Sequence, residues 1–150
     1  MALDKAEWHY GGDFPAELPN ENGATHIGLF LAWIIDNHLE GDVHHEEEAG
    51  EQALAAVRQR QMSGRDFLLS QCDEKFWAVD LNAEGLAFAH LYYADEQGSF
   101  GPYLDDYADL LAQDLPSLYH VVDSWENYAR LKPRLDSQFV CWKQTGVLLK

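Results

Sequence analysis

Thr25-His26-Ile27-Gly28-Leu29-Phe30-Leu31-Ala32-Trp33-Ile34-Ile35-Asp36 is the stretch whose reading decides the fold. Ile27, Leu31, Ile34 and the following His38 recur at helical spacing, while Leu29, Trp33 and Ile35 make the remaining faces apolar as well. A helix with so little polar surface is packed on several sides, so this one is expected at the centre. Asn22 or Thr25 caps it, and it is expected to run to about Leu39.

Outward from that helix the chain is punctuated as follows. Trp8 to Pro19 has no sustained period and carries paired Gly and Pro, which predicts an ordered arm over residues 1–21 whose aromatics dock on the core. A helix from near His44 to about Gln61 is expected, with acid in its first turn, where the helix dipole favours it. Ser63 and Asp66 resemble a capping box opening a short helix through Phe67 and Cys72, and a further helix is expected from Gly85 to Ala94. Pro102 sits where a first helical residue would, ahead of an apolar stripe of Leu104, Ala108 and Leu111. Leu118 to Val122 is the one convincing β-like run, read as a strand or as an extended connector. Asp123 with Glu126 opens the last helix, which is expected to stop or kink before Pro133, restart there, and end near Gly146. The expected architecture is all-α or nearly all-α: a compact single-domain bundle of about six helices over residues 1–150.

Composition narrows the function. The chain carries 26 Asp plus Glu against 10 Lys plus Arg, a formal charge of −16 over 150 residues, with 47% apolar residues and 13% aromatic. That much apolar surface supports a folded core, so the acid is a property of the surface and not a mark of disorder. A negative field repels nucleic acid and anionic lipid, and neither is expected as a partner. Ile27 to Ile35, the longest apolar run, is about half a membrane span, and Met1 to Lys5 lacks the features of a signal peptide; the expected location is cytoplasmic. Cys72 and Cys141 are too far apart for a metal knuckle and read as two buried free thiols.

The candidates for chemistry are few. His44 and His45 followed by Glu46, Glu47 and Glu48 form the densest group of ligand-type side chains, but adjacent helical residues diverge by about 100° and do not share a site easily. No metal and no cofactor is therefore expected. His26, with Asp13 or Asp123 as partner, or His9 in the arm, would make a tuned acid–base group, yet no local motif marks a nucleophile. No catalytic residue is assigned. After Pro102, Asp105, Asp106 and Asp109 interleave with Tyr103 and Tyr107. With Asp95 and Glu96 upstream, they read either as an acidic interface with Tyr anchors or as a solvated face whose rings pack inward. The expected partner-binding set is these seven residues together with Glu46, Glu47 and Glu48.

Across Trp8-His-Tyr-Gly-Gly-Asp-Phe-Pro15, Ala24-Thr-His-Ile-Gly-Leu-Phe-Leu-Ala-Trp33 and Leu118-Tyr-His-Val-Val-Asp-Ser-Trp-Glu-Asn-Tyr128, the chain resembles a family of small acidic bacterial proteins of unassigned function. That resemblance transfers no activity. In size, acidity and helical content the chain also resembles the immunity proteins of bacterial toxin systems, including those paired with type VI secreted effectors. This second likeness implies a non-enzymatic, stoichiometric inhibitor whose partner is a cognate toxin or effector with a basic binding surface. The competing readings are a small hydrolase-like enzyme using His26, His9 or the His44-His45-Glu46 group, and a regulatory adaptor.

Overall fold

Every residue of α1 (Thr25–Asp36) from Thr25 to Ile35 is withdrawn from solvent, as its all-round apolar sequence requires. The computed structural model in which this is seen describes residues 2–12 and 14–149. α3 (Gly64–Gln71) crosses α1 at backbone contact. A Cβ on Gly64 would stand 1.9 Å from the Gly28 carbonyl oxygen, and one on Gly28 would stand 2.3 Å from the Arg65 nitrogen, so glycine at both positions is what permits the crossing. α1 ends sooner than expected. The Leu39 N–H returns to the Ile34 carbonyl while His38 takes a left-handed φ of 56°, which stops the helix before the apolar pattern does.

The remaining helices among the described residues are α2 (Glu48–Arg58), α4 (Ala83–Tyr92), α5 (Tyr103–Tyr107) and α6 (Trp125–Thr145). Side chains cap three of the helices: Ser63 accepts from the Asp66 N–H, Asn82 from Gly85, and Ser124 from Asn127. Ser124 thus replaces the expected Asp123 as the α6 cap. α6 also runs unbroken through Pro133; Leu131 and Leu135, buried on either side of it, hold the helix against the core.

The all-α expectation is corrected by a two-stranded antiparallel sheet, β1 (Ala2–Lys5) with β2 (Lys75–Trp77), in register Ala2 to Trp77, Asp4 to Phe76 and Lys5 to Lys75. Among the described residues there are six α-helices and this sheet. The β-like run is corrected too: Leu118–His120 is a 3-10 turn led by Ser117, whose side chain accepts the Tyr119 N–H while the His120 and Val121 N–H groups turn back to the Ser117 and Leu118 carbonyls. Trp33, Ile34 and Phe67 lie fully in the core, whereas Phe139 and Trp142 only pack against its edge. Trp8, expected to dock, is 50% exposed. No helix of the described residues is long and apolar enough to cross a membrane.

Candidate functional site

Two carboxylates, Asp4 and Asp80, each organise a cluster of histidine and other polar side chains, and the two clusters differ in access. β1 carries Asp4 into the core between α1 and the 3-10 turn Ala6–His9. Its Oδ1 accepts from the Lys5 N–H at 2.8 Å and from His9 Nε2 at 2.8 Å. Its Oδ2 accepts from His26 Nε2 at 3.0 Å and from the Tyr93 hydroxyl at 2.6 Å. Burial opposes ionisation of Asp4, but the hydrogen bonds from His26 and His9 outweigh it and hold the carboxyl well below the usual range. Burial also pushes the His26 imidazole down against the pull of Asp4, so His26 stays neutral with its proton on Nε2. His26 Nδ1 is then a bare acceptor with no partner. On the outer side, His9 Nδ1 meets the Tyr119 hydroxyl at 2.7 Å, and Phe14 packs on Tyr119 with ring centroids 5.0 Å apart.

This arrangement brings together His9, His26 and Tyr119, one from each of the three sequence motifs, around Asp4, which the sequence reading did not single out. Of the two expected partners of His26, Asp123 is corrected. Asp123 faces Arg65 at 3.3 Å instead, and Asp13 lies outside the described residues. Tyr119, His9 and Asp4 form a hydroxyl–imidazole–carboxylate row; each Asp4 oxygen holds two donors and Asp4 and His26 are out of solvent, while His9 and Tyr119 are half-buried.

Asp80 is different. Its Oδ1 lies 2.9 Å from His44 Nε2 and 3.6 Å from Cys72 Sγ, and its Oδ2 accepts from the Trp77 N–H at 2.7 Å. His44, Cys72 and Asp80 line a cleft of about 420 Å³ together with Glu46, Glu47, Asp73 and Trp77. His44 is not on an exposed first turn of α2, as the spacing suggested. It belongs to a separate 3-10 turn, Asp42–His45, that turns its ring inward against Phe67. His45 points the other way, to Glu40 and Glu51, so the adjacent pair divides between two environments and the His44-His45-Glu46 group does not form one site. Burial and the neighbouring Asp80 charge push the Cys72 thiol far up, and it hydrogen-bonds the carboxylate, not the imidazole. As it stands it is no activated nucleophile. Both cysteines are free, and Cys141, expected to be buried, is half-exposed.

The acidic helix after Pro102 is corrected in part. Tyr103 and Tyr107 have no exposed surface and Asp106 is 9% exposed. The Tyr103 hydroxyl donates to the His26 carbonyl at 2.6 Å, and Asp106 accepts from Arg134 and from Tyr92, each at 2.7 Å. These three residues are core. Asp105, Asp109 and Glu96 remain exposed, and Asp95 is half-buried, closing a turn through the Gln97 and Ser99 N–H groups. Glu46, Glu47 and Glu48 are exposed, the first two on the rim of the cleft.

A family described as Domain of unknown function (DUF7832) matches residues 2–121, and the chain belongs to it. No curated protein and no solved structure matches the chain.

Proposed function

We propose that this member of the DUF7832 family is a non-enzymatic binding protein of the cytoplasm, an immunity protein that neutralises a cognate toxin or effector by stoichiometric contact with a basic surface. One observation carries the reading: Glu46, Glu47 and Asp73 border a cleft of about 420 Å³ that has no Lys or Arg among its lining residues. In a chain of net charge −16, a low-dielectric concavity of this kind focuses negative potential. It accepts a protruding Lys or Arg and steers the partner toward it. The binding surface is thereby moved from α5, whose tyrosines are core, to the face formed by the start of α2 and the turn after α3. The closed Asp4 centre supports the non-enzymatic half of the reading, since its most perturbed groups are out of reach of any substrate.

The test is co-purification with the product of the adjacent gene, followed by rescue of growth when that product is expressed. A stoichiometric complex that restores growth supports the proposal, and failure of both removes it. Within a recovered complex, Glu46→Gln, Glu47→Gln and Asp73→Asn together should slow association by roughly tenfold at low salt, with the difference shrinking as salt is added. Unchanged association would place the contact elsewhere on the molecule.

A further inference from the structure

We propose that His44 Nε2, Cys72 Sγ and Asp80 Oδ1 form a three-ligand site for Zn²⁺ whose fourth position opens into the cleft. The three atoms lie within 4.8 Å of one another. With Zn–S near 2.3 Å and Zn–N or Zn–O near 2.0 Å, tetrahedral angles set S···O at about 3.5 Å and N···O at about 3.3 Å. The observed separations of 3.6 Å and 2.9 Å need shifts of only a few tenths of an ångström. A thiolate, an imidazole and a carboxylate together select zinc over magnesium or calcium, which take oxygen alone. The carboxylate is already oriented, because the Trp77 N–H holds Oδ2 and leaves Oδ1 aimed at the other two groups.

The ligands come from three separate elements: the 3-10 turn before α2, the C-terminal end of α3, and the 3-10 turn Ala78–Asp80. Local spacing could not reveal them, since His44 and Asp80 stand 36 residues apart. On binding, the Cys72 S–H bond breaks as the S–Zn bond forms and its proton leaves to water. The His44 proton moves from Nε2 to Nδ1, and Asp80 stays a carboxylate. Three protein ligands with one face open is the arrangement of a zinc that takes an exogenous ligand, as distinct from a closed structural site. Glu46, Glu47 and Asp73 on the rim raise the local cation concentration. The Asp4 cluster, by contrast, has no sulfur ligand and no open face. The site stands or falls independently of any protein partner.

The experiment uses the full chain, stripped with chelator and titrated with Zn²⁺ alone and with Co²⁺ alone. One saturable equivalent of Zn²⁺ is expected, together with a near-ultraviolet thiolate-to-cobalt charge-transfer band in the Co²⁺ form. The band should vanish in Cys72→Ser and persist in Cys141→Ser, and His44→Gln should weaken Zn²⁺ binding by more than about tenfold. Absence of a saturable equivalent, a band that survives Cys72→Ser, or binding lost in His9→Gln but kept in His44→Gln overturns the assignment. Should the Cys72 variant fail to fold, X-ray absorption on the wild-type zinc form decides. One sulfur at about 2.3 Å supports the site, and a shell of nitrogen and oxygen alone overturns it.

Discussion

Asp4 and Asp80 are both buried carboxylates, and both accept a hydrogen bond from a histidine Nε2, yet one centre is finished and the other is not. Asp4 has two donors on each oxygen. Asp80 shares Oδ1 between His44 and Cys72, holds one backbone N–H on Oδ2, and borders a cleft. The difference teaches that histidine beside aspartate carries no functional meaning until the remaining lone pairs and the access route are known. A saturated carboxylate cross-links a core, and an unsaturated one beside open space keeps the capacity to bind.

The sharpest way to break this comparison is to remove each carboxylate in turn. Asp4→Ala strands His9, His26, the Tyr93 hydroxyl and the Lys5 N–H in a site withdrawn from solvent, and should cost about 3–5 kcal/mol in urea denaturation. Asp80→Ala frees fewer groups, and water in the cleft satisfies part of what is freed, so its cost should be about 1–3 kcal/mol. Equal losses would show that the two centres are alike in kind.

Acid should separate them further. The folded-state value of His26 lies below its ordinary value of 6.5, so on acidification the unfolded chain takes up that proton first. The stability this group contributes is therefore complete above about pH 6.5 and declines as pH falls, by up to about 1.4 kcal/mol per unit. Asp4, whose folded value is also depressed, adds a second loss of the same sign once pH drops below 3.8. His26→Gln keeps a donor toward Asp4 and removes one titration, so its stability should depend less on pH than wild type between about pH 6.5 and pH 5. Identical slopes would mean that the burial of His26 contributes nothing to acid sensitivity. The smallest effect belongs to the rim: Glu46→Gln with Glu47→Gln should cost less than about 1 kcal/mol in urea denaturation, since both side chains are exposed and Glu47, at the N-cap position of α2, makes no side-chain cap bond and acts only through the helix dipole. A larger loss would mean that the rim acid is part of the fold.

α1 was legible because a run apolar on every face has one place to go. The cap at Ser63 was legible because its side-chain chemistry is local; the sequence pattern puts the α6 cap at Asp123, one residue before Ser124, and does not single out the Asn82 cap. β1 was not legible: its four residues are too few to show a period, and its central Asp4 is a residue that strands disfavour. The pairing that stabilises β1 lies far along the chain in β2. α5 was misread through its stripe. Tyr103, Tyr107 and Leu111 recur at the four-residue spacing of one helix face and are the buried set; the signal was present, but the interleaved acid masked it. That Asp106 pairs with Arg134 and Tyr92 depends on packing between α4, α5 and α6, which no local pattern encodes. The Asp80 centre was invisible for the same reason, its three side chains being joined only by the fold.

The match to the family ends at residue 121, and α6 begins after it. From there Asp136 accepts the Trp33 indole N–H at 2.8 Å, Tyr128 donates to Asp36 at 2.6 Å, and Leu131 and Leu135 close over the core. The stretch by which kinship is recognised and the stretch that cooperates thermodynamically are therefore of different extent. A gene fragment cut where the inherited signature stops would carry every residue of both carboxylate centres and still leave its central tryptophan without an acceptor and its innermost helix open to water.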